Sequence, residues 1–237
     1  MTTIRQQPNW KILGTRPIRH DGTDKVTGRA KYGADVQLAG LLHGKFLRSP
    51  HGHANIKAID ISKAKKHPGV KAVITADDLP SDPDGPVTFG DQYLLTRHTY
   101  MYEKLLARNK VLYKGHPVAA VAAVNPHIAE EALALIQVEY ELLPSVLDGR
   151  EAMKQDAVLL HENLTTREFG DDTGRKSNVA NHIQLTKGNI EDGFAKADVI
   201  VEKEFHTASV HQGYIETHNS TALWDPDGHI TIWSSTQ

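Results

Sequence analysis

The chain contains no cysteine among its 237 residues. This absence excludes a disulfide framework, a cysteine nucleophile, a cysteine-ligated zinc site and an iron–sulfur cluster held by this chain. If the protein takes part in redox chemistry, its electron carriers must therefore lie on other polypeptides.

Long apolar runs and an excess of charge of one sign are also missing. No window approaches the roughly 18 apolar residues of a membrane span, and residues 1–11 lack the apolar core of a signal peptide. The 27 Lys and Arg residues nearly balance 29 Asp and Glu, so the formal net charge is only −2. Such a chain has little electrostatic attraction for nucleic acid or acidic lipid. We therefore expect a cytoplasmic globular protein with no nucleic-acid or membrane partner.

Hydrophobic patterning predicts a mixed α and β fold. The Ala-Val run at 118–124 is apolar on both faces, which is typical of a central strand. Strands are predicted over residues 41–47, 54–61, 70–75, 111–113, 117–124, 137–142, 199–205, 215–224 and 229–234, the last two joined by a turn at 225–228. Helices are predicted at 63–67, capped by Ser62, at the segment that begins with Asn125 and Pro126, and from Asn189 through Lys196.

Two stretches are predicted to be irregular. Residues 77–90 concentrate proline, aspartate and glycine, so they should form a surface loop. Residues 163–181 are polar and contain glycine, and they are interpreted as a boundary or as an excursion over a partner surface.

Histidine is abundant, with 14 residues, but no spacing specifies a metal site. His51 and His53 would share a strand face, and the C-terminal third holds His206, His211 and His218. Without a His-x-x-x-His helix, the pattern favours surface and turn histidines over a metal-dependent enzyme. Alternating acids such as Glu139 and Glu141 are interpreted as a solvated sheet face rather than as a general acid and base.

Polar side chains gather in two places near the C-terminus. Residues 211–218 and 234–237 each place amides, hydroxyls or a carboxylate at the end of a predicted strand. They could hydrogen-bond a polar ligand, or they could simply be the polar ends of a hairpin.

Five segments carry a resemblance to a known family. They are DKVTGRAKY (24–32), LHGKFLRSPHGHA (42–54), PGVKAV (68–73), GHPVA (115–119) and VEYELLP (138–144). In these segments the chain resembles the molybdopterin-binding large subunits of the xanthine dehydrogenase and aldehyde oxidase family, especially those of the 4-hydroxybenzoyl-CoA reductase α type.

The resemblance implies an α+β fold with four regions. These are an N-terminal extension (1–19), an α/β hammerhead domain (20–150), a linker (151–180) and the first segment of a molybdopterin-binding domain (181–237). It further implies that the amide of Gln237 hydrogen-bonds an oxo ligand of the molybdenum centre. Gln212, Tyr214 and Glu216 would lie on the cofactor-side strand.

The function implied by the resemblance is that of one part of a molybdenum-cofactor oxidoreductase for an aldehyde, an N-heterocycle or an aromatic CoA thioester. The chain lacks the family's Gly-rich loop and glutamate base, so we expect no catalytic residue in it, no protein-ligated metal, and no activity alone. It would share the cofactor with a second molybdopterin-binding chain or a C-terminal portion, and work with an iron–sulfur subunit and an FAD subunit. The alternative is a non-catalytic assembly module derived from the hammerhead domain.

Overall fold

The structure is a computed structural model, and it describes residues 11–79, 86–88, 95–162 and 164–236. The chain divides into two compact units. One comprises residues 40–202, and the other joins residues 1–39 to residues 203–237.

Two three-stranded antiparallel sheets form the frame of the unit at 40–202. The first sheet has the order β1 (His43–Arg48), β7 (Pro117–Ala123), β3 (Val70–Thr75). The second has the order β6 (Lys110–Val111), β2 (Ala54–Asp60), β8 (Gln137–Leu142). The Ala-Val strand β7 is the middle strand of its sheet, as its two apolar faces predict.

One of the two buried hydrophobic clusters of this unit lies between the first sheet and a helix, α4 (Pro126–Ala134). As predicted, Asn125 caps α4, because its side-chain oxygen accepts a 2.8 Å hydrogen bond from the backbone N–H of Ile128. Ala129 and Ala132 of the helix are buried together with Val73 and Val121 of the sheet. Small residues on the helix let it approach the sheet closely.

The breaks at 49–52 and 114–116 in the sequence predict two turns, one between β1 and β2 and one between β6 and β7, but in each case the two strands belong to different sheets. β1 and β2 do not pair, and neither do β6 and β7. The segment between β1 and β2 hydrogen-bonds instead to the turn between β6 and β7, because Ser49 N–H donates to the His116 carbonyl and Gly115 N–H donates to the Ser49 carbonyl. These two connections therefore cross together from one sheet to the other.

Two local predictions in this unit were wrong. Ser62 does not cap the helix α2 (Ser62–Lys65), because it is the first residue of that helix. Its backbone N–H donates to the Asp60 carboxylate at 2.9 Å. The alternation of Val138, Tyr140 and Leu142 in the sequence predicts that all three side chains point inward, but Leu142 is 66% exposed at the end of β8.

The loop predicted at 77–90 contains regular structure among its described residues. A 3-10 turn spans Ala76–Asp78, and β4 (Pro86–Thr88) pairs with β5 (Leu95–Arg97) ahead of α3 (His98–Leu105). The rest of that prediction, at 80–85 and 89–90, lies outside the described residues.

The stretch predicted to be irregular at 163–181 also contains regular structure among its described residues. A helical turn α5 (Gly149–Ala152) precedes a small sheet of β10 (Asp171–Lys176), β9 (Thr165–Glu168) and β11 (Asn181–His182). Buried Thr166 shares a 2.6 Å hydrogen bond with Ser177, which ties the sheet to the turn that follows it.

Past this sheet the helix α6 (Ile190–Ala195) forms as predicted, and Asn189 caps it through the backbone N–H of Asp192 at 3.1 Å. The strand predicted at 199–205 is absent from the part of the chain that the structure describes. A strand needs a hydrogen-bonded neighbour, and no described strand pairs with these residues.

The second unit contains α1 (Gly22–Val26), a 3-10 turn at Gly33–Asp35, and a hairpin of β12 (Ser220–Trp224) and β13 (Ile230–Ser234). The predicted turn closes the hairpin, with the Asp225 carboxylate accepting from two backbone N–H groups and Gly228 at φ +87°. The strand predicted at 215–224 is shorter than expected and begins at Ser220. In neither unit do the described residues include a helix of the length and apolarity that a membrane crossing requires.

Candidate cofactor-binding site

Ser235 holds the end of the hairpin to the segment that precedes it. Its hydroxyl donates to the Thr217 carbonyl at 3.1 Å and accepts from the Asn219 N–H at 3.0 Å. The Ser235 N–H also donates to the Asn219 carbonyl at 3.2 Å. These bonds bring together the two polar stretches that the sequence singled out, 211–218 and 234–237.

Asn219 lies against the N-terminal part of the same unit. A Cβ added to Gly33 would stand 2.4 Å from the Asn219 Oδ1 atom and 3.4 Å from the Ser235 Cβ. That Oδ1 atom is buried and has no hydrogen-bond donor among the described residues. Sequence reasoning missed both Gly33 and Asn219, because nothing in the sequence shows that residues almost 190 positions apart are in contact.

The predicted cofactor-side residues Gln212, Tyr214 and Glu216 are all exposed, and they do not lie on a strand. Gly213, at φ +63°, bends the chain there, and its N–H donates to His211 Nδ1 at 3.0 Å. The bend places the Tyr214 ring 5.2 Å from the ring of His218 and 6.2 Å from that of His211. The strand assignment for these residues is therefore corrected to an irregular, accessible segment.

Gln237, the residue predicted to face the molybdenum centre, lies outside the described residues. The described chain leads to it through Ser235, whose hydrogen bonds fix the backbone two positions earlier.

The remaining histidine and acid candidates occupy structural positions. His53 is buried and its Nδ1 atom donates to the Pro144 carbonyl at 2.7 Å, while the His51 ring lies 5.0 Å from that of Tyr140. Glu139 and Glu141 are exposed, and Glu141 pairs with Lys57 at 2.8 Å. Among the described residues no group of three or more His, Asp or Glu side chains is placed to hold a metal ion.

A polar cavity of about 170 Å³ in the 40–202 unit is a feature that sequence reasoning missed. Its ionisable lining residues are Glu103, Arg108, Lys110, His161 and Glu162. Burial raises the pKa of Glu103, although Lys110 and Arg108 act against this. Burial also lowers the pKa of His161, and Lys110, Lys104 and His116 lower it further. The cations of the lining are engaged, since Lys110 pairs with Glu162 at 3.0 Å and Arg108 with Asp77 at 3.3 Å.

Comparison with known proteins gives these sites a family context. Residues 27–144 match the family model described as the aldehyde oxidase and xanthine dehydrogenase a/b hammerhead domain, and residues 172–237 match the molybdopterin cofactor-binding domain. The chain belongs to the molybdopterin-binding xanthine dehydrogenase and aldehyde oxidase family, of which it carries an N-terminal portion.

Particular relatives extend the match over nearly the whole chain. The carbon monoxide dehydrogenase large chain of Afipia carboxidovorans is 38% identical over 241 residues, which cover 100% of this chain and 29% of that protein. The nicotinate dehydrogenase large molybdopterin subunit of Eubacterium barkeri is 29% identical over 229 residues, covering 97% of this chain and 48% of that one. The structure resembles reconstituted CO dehydrogenase from Oligotropha carboxidovorans with a TM-score of 0.74 and 35% identity, over 94% of this chain and 27% of that chain.

The chain thus spans less than a third of the carbon monoxide dehydrogenase large chain and about half of the nicotinate dehydrogenase subunit. The prediction of an α+β hammerhead fold followed by molybdopterin-binding sequence is confirmed by these matches.

Proposed function

We propose that this chain is the N-terminal part, or a split subunit, of a molybdenum-cofactor oxidoreductase that acts on an aldehyde, an N-heterocycle or an aromatic CoA thioester. The observation that carries the proposal is the ordered pair of family matches, hammerhead at 27–144 and cofactor-binding sequence at 172–237. The chain corresponds to 29% of the carbon monoxide dehydrogenase large chain and 48% of the nicotinate dehydrogenase subunit. This partial coverage supports an activity that needs further sequence, so we expect no activity from this chain alone.

The cofactor would be molybdenum bound by molybdopterin and shared with a partner chain or a C-terminal portion. Gln212, Tyr214 and Glu216 offer an amide, a phenol hydroxyl and a carboxylate, which suit the N–H and C=O edges of a pterin. All three are exposed and thus accessible. The buried Asn219 Oδ1 atom is an acceptor that a donor could still satisfy. The residues therefore fit a polar, hydrogen-bonding cofactor.

Each of these residues would bind or orient rather than react. The bound molybdenum centre would supply the two-electron chemistry at the substrate carbon, and Gln237 would donate its amide N–H toward that centre. Ser235 would hold the backbone that leads to Gln237, since it is bonded to both Thr217 and Asn219. No catalytic base is assigned to this chain.

The absence of cysteine supports iron–sulfur clusters on another subunit. By the same family resemblance, FAD would lie on a further subunit, and the complex would be cytoplasmic.

We propose that the chain is divided into an extension (1–19), a hammerhead (20–150), a linker (151–180) and the start of a cofactor-binding domain (181–237). The match covers 48% of the Eubacterium barkeri subunit but 29% of the carbon monoxide dehydrogenase large chain, so large subunits of different lengths share this region. This difference in length favours the split-subunit form of the proposal.

The test is purification of the tagged protein from its own host, followed by native mass spectrometry with molybdenum, iron and flavin quantified together. We expect a molybdopterin-binding polypeptide, molybdenum, iron and flavin in the complex. Recovery of the chain with no molybdenum and no such polypeptide would contradict the proposal and favour an assembly module.

A residue-level test compares two exposed glutamines. Gln212→Ala should reduce the molybdopterin retained by the complex, because it removes an amide proposed to hold the cofactor. Gln184→Ala, at an exposed position outside the proposed site, is the matched control. Equal retention in both variants would remove Gln212 from the site.

A further inference from the structure

The polar cavity of the 40–202 unit lies where four parts of the chain meet. Asn55 of β2 and Lys110 of β6 are cross-strand partners, and both line it. Glu103, near the end of α3, and residues 160–162 complete most of the lining. The cavity volume of about 170 Å³ is below the roughly 300 to 1,000 Å³ of pockets for drug-sized ligands, so it suits a small molecule.

The ammonium group of Lys110 has hydrogen-bonding capacity to spare at this cavity. The Lys110 side chain is only 15% exposed, whereas that of its ion-pair partner Glu162 is 73% exposed. Within the part of the chain that the structure describes, Glu162 accepts the one hydrogen bond that Lys110 Nζ donates, at 3.0 Å. An ammonium group has three N–H donors, and a largely buried donor without an acceptor costs free energy. Lys110 therefore favours a further acceptor.

Positive charge predominates around the cavity. The ionisable groups of the lining are under the electrostatic influence of four cations, namely Lys104, Arg108, Lys110 and Lys176. The acids of the lining are Glu103 and Glu162, and burial raises the pKa of Glu103, which reduces its negative charge. The field at the cavity therefore favours an anion over a cation.

The remaining lining groups suit a carboxylate that carries a short hydrocarbon part. The Asn55 amide nitrogen donates one hydrogen bond to Glu141 at 2.8 Å and has a second N–H donor. Leu112 and Leu160 add apolar surface to the same cavity. An inorganic anion would use the donors alone, whereas an organic carboxylate would use both the donors and the apolar surface.

We propose that this cavity binds a small organic carboxylate, with its carboxylate on the Lys110 ammonium in place of Glu162 and its hydrocarbon part against Leu112 and Leu160. Glu162 is then the resident counter-ion that the ligand displaces, and its exposed carboxylate loses little on returning to water. The cavity lies wholly in the 40–202 unit and uses none of the proposed cofactor-binding residues. The inference thus goes beyond the function proposed above and does not depend on it.

The test is isothermal titration calorimetry of the tagged protein, purified from its host, with four probes in a buffer free of carboxylates. The probes are butyrate, its uncharged amide butyramide, the cation butylammonium, and inorganic phosphate. We expect butyrate to bind about tenfold or more tightly than butyramide, because only butyrate forms a charge-assisted hydrogen bond with Lys110. Butylammonium should not bind, and phosphate should bind more weakly than butyrate.

Hydrogen exchange locates the bound probe. Butyrate should increase the protection of peptides that cover residues 103–112, and butyramide at the same concentration should not. Protection of β7, which lies in the other sheet, reports whether a variant remains folded.

Two variants of the ion pair should change the butyrate affinity in opposite directions. Lys110→Met should weaken binding by about tenfold or more, because it removes the charged donor. Glu162→Gln should strengthen binding by about two- to fivefold, since it removes a competing charge from a partly exposed ion pair. Lys154→Met and Glu151→Gln are the matched controls, because this exposed ion pair lies in the same unit but not at the cavity. Each control should change the affinity by less than about twofold.

Several results would overturn the proposal. They are no binding of butyrate, equal affinity for butyrate and butyramide, and increased protection confined to residues outside 103–112. Tighter binding of phosphate than of butyrate would also overturn it, because the cavity would then be an inorganic-anion site. Weaker butyrate binding by the exposed-site variant Glu162→Gln would show that Glu162 holds the ligand rather than competing with it. None of these results bears on the proposed function, which the co-purified molybdenum tests.

Discussion

The Nε2 atom of buried His116 donates a 2.6 Å hydrogen bond to the carbonyl oxygen of Glu103. Its Nδ1 atom accepts one from the Leu112 N–H at 3.2 Å. A backbone carbonyl can only accept and a backbone N–H can only donate, so the two bonds fix one neutral tautomer. The ring is stacked on Tyr113 at 4.5 Å. A histidine in a five-residue motif of the family resemblance thus connects α3, which ends at Leu105, to the segment around Leu112.

Replacing His116 with leucine should destabilise the 40–202 unit by about 2 to 4 kcal/mol, since two backbone groups would lose their partner. His127→Leu, at an exposed position on α4, should change stability by no more than about 0.5 kcal/mol. All three tryptophans, at 10, 224 and 233, lie outside this unit, so hydrogen exchange of β7 peptides is the appropriate measurement. Equal protection in the two variants would contradict the prediction.

The stability of the same unit should depend on pH just below neutrality. Burial lowers the pKa of His116, with the Glu103 carbonyl acting against this, and burial followed by nearby cations lowers the pKa of His161. In the window between these lowered values and the ordinary value of about 6.5, the unfolded chain binds more protons than the folded one. The histidines therefore contribute stability that is present above pH 6.5 and lost as the pH falls through their folded-state pKa.

Glu103 acts in the opposite direction, since burial raises its pKa and its contribution is lost as the pH rises. We expect β7 protection to be greater at pH 7.5 than at pH 5.5, once exchange rates are corrected for pH. His161→Gln should reduce the difference, and His127→Gln should not. If β7 protection changes between pH 7.5 and pH 5.5 by the same amount in both variants, His161 does not contribute to the pH dependence.

Gly33→Ala should destabilise the unit that contains the hairpin, by about 1 to 3 kcal/mol, because the new methyl group would overlap the Asn219 side chain. Gly22→Ala is the matched control, since Gly22 lies in the same unit and a Cβ there meets only the Arg19 side chain, at an ordinary contact distance of 3.5 Å. Urea unfolding followed by the fluorescence of Trp224 and Trp233 measures the effect. Adding Asn219→Ala to Gly33→Ala should recover part of the loss, and a purely additive double variant would argue against the contact.

Alanine substitutions at two glycines with a positive φ distinguish the cost of backbone strain from the cost of steric overlap. Gly69 at φ +85° and Gly115 at φ +91° would each strain an alanine, at a cost of about 1 to 2 kcal/mol. Only at Gly69 would the Cβ also meet other side chains, with Ile128 Cδ1 at 2.7 Å and Val124 Cγ2 at 3.1 Å. Gly69→Ala should therefore lower β7 protection more than Gly115→Ala does. The same loss at both positions would show that strain alone determines the cost.

Local sequence signals predicted much of the secondary structure. The bounds of β3 and β8 match the prediction, and Asn125 and Asn189 cap their helices, because the hydrogen bonds concerned join residues three apart. The central position of β7 followed from its two apolar faces. The family motifs likewise predicted the hammerhead and cofactor-binding matches.

Relations between distant residues were decided by the tertiary structure alone. The sequence could not assign β1 and β2 to different sheets, since that depends on hydrogen bonds between Ser49 and the turn at 115–116. The polar cavity joins Glu103 to His161, and the hairpin end joins Asn219 to Gly33. The segment 199–205 contains residues that favour a strand, but no described strand pairs with it. A strand also needs a hydrogen-bonded neighbour, and the sequence pattern does not show whether one is present.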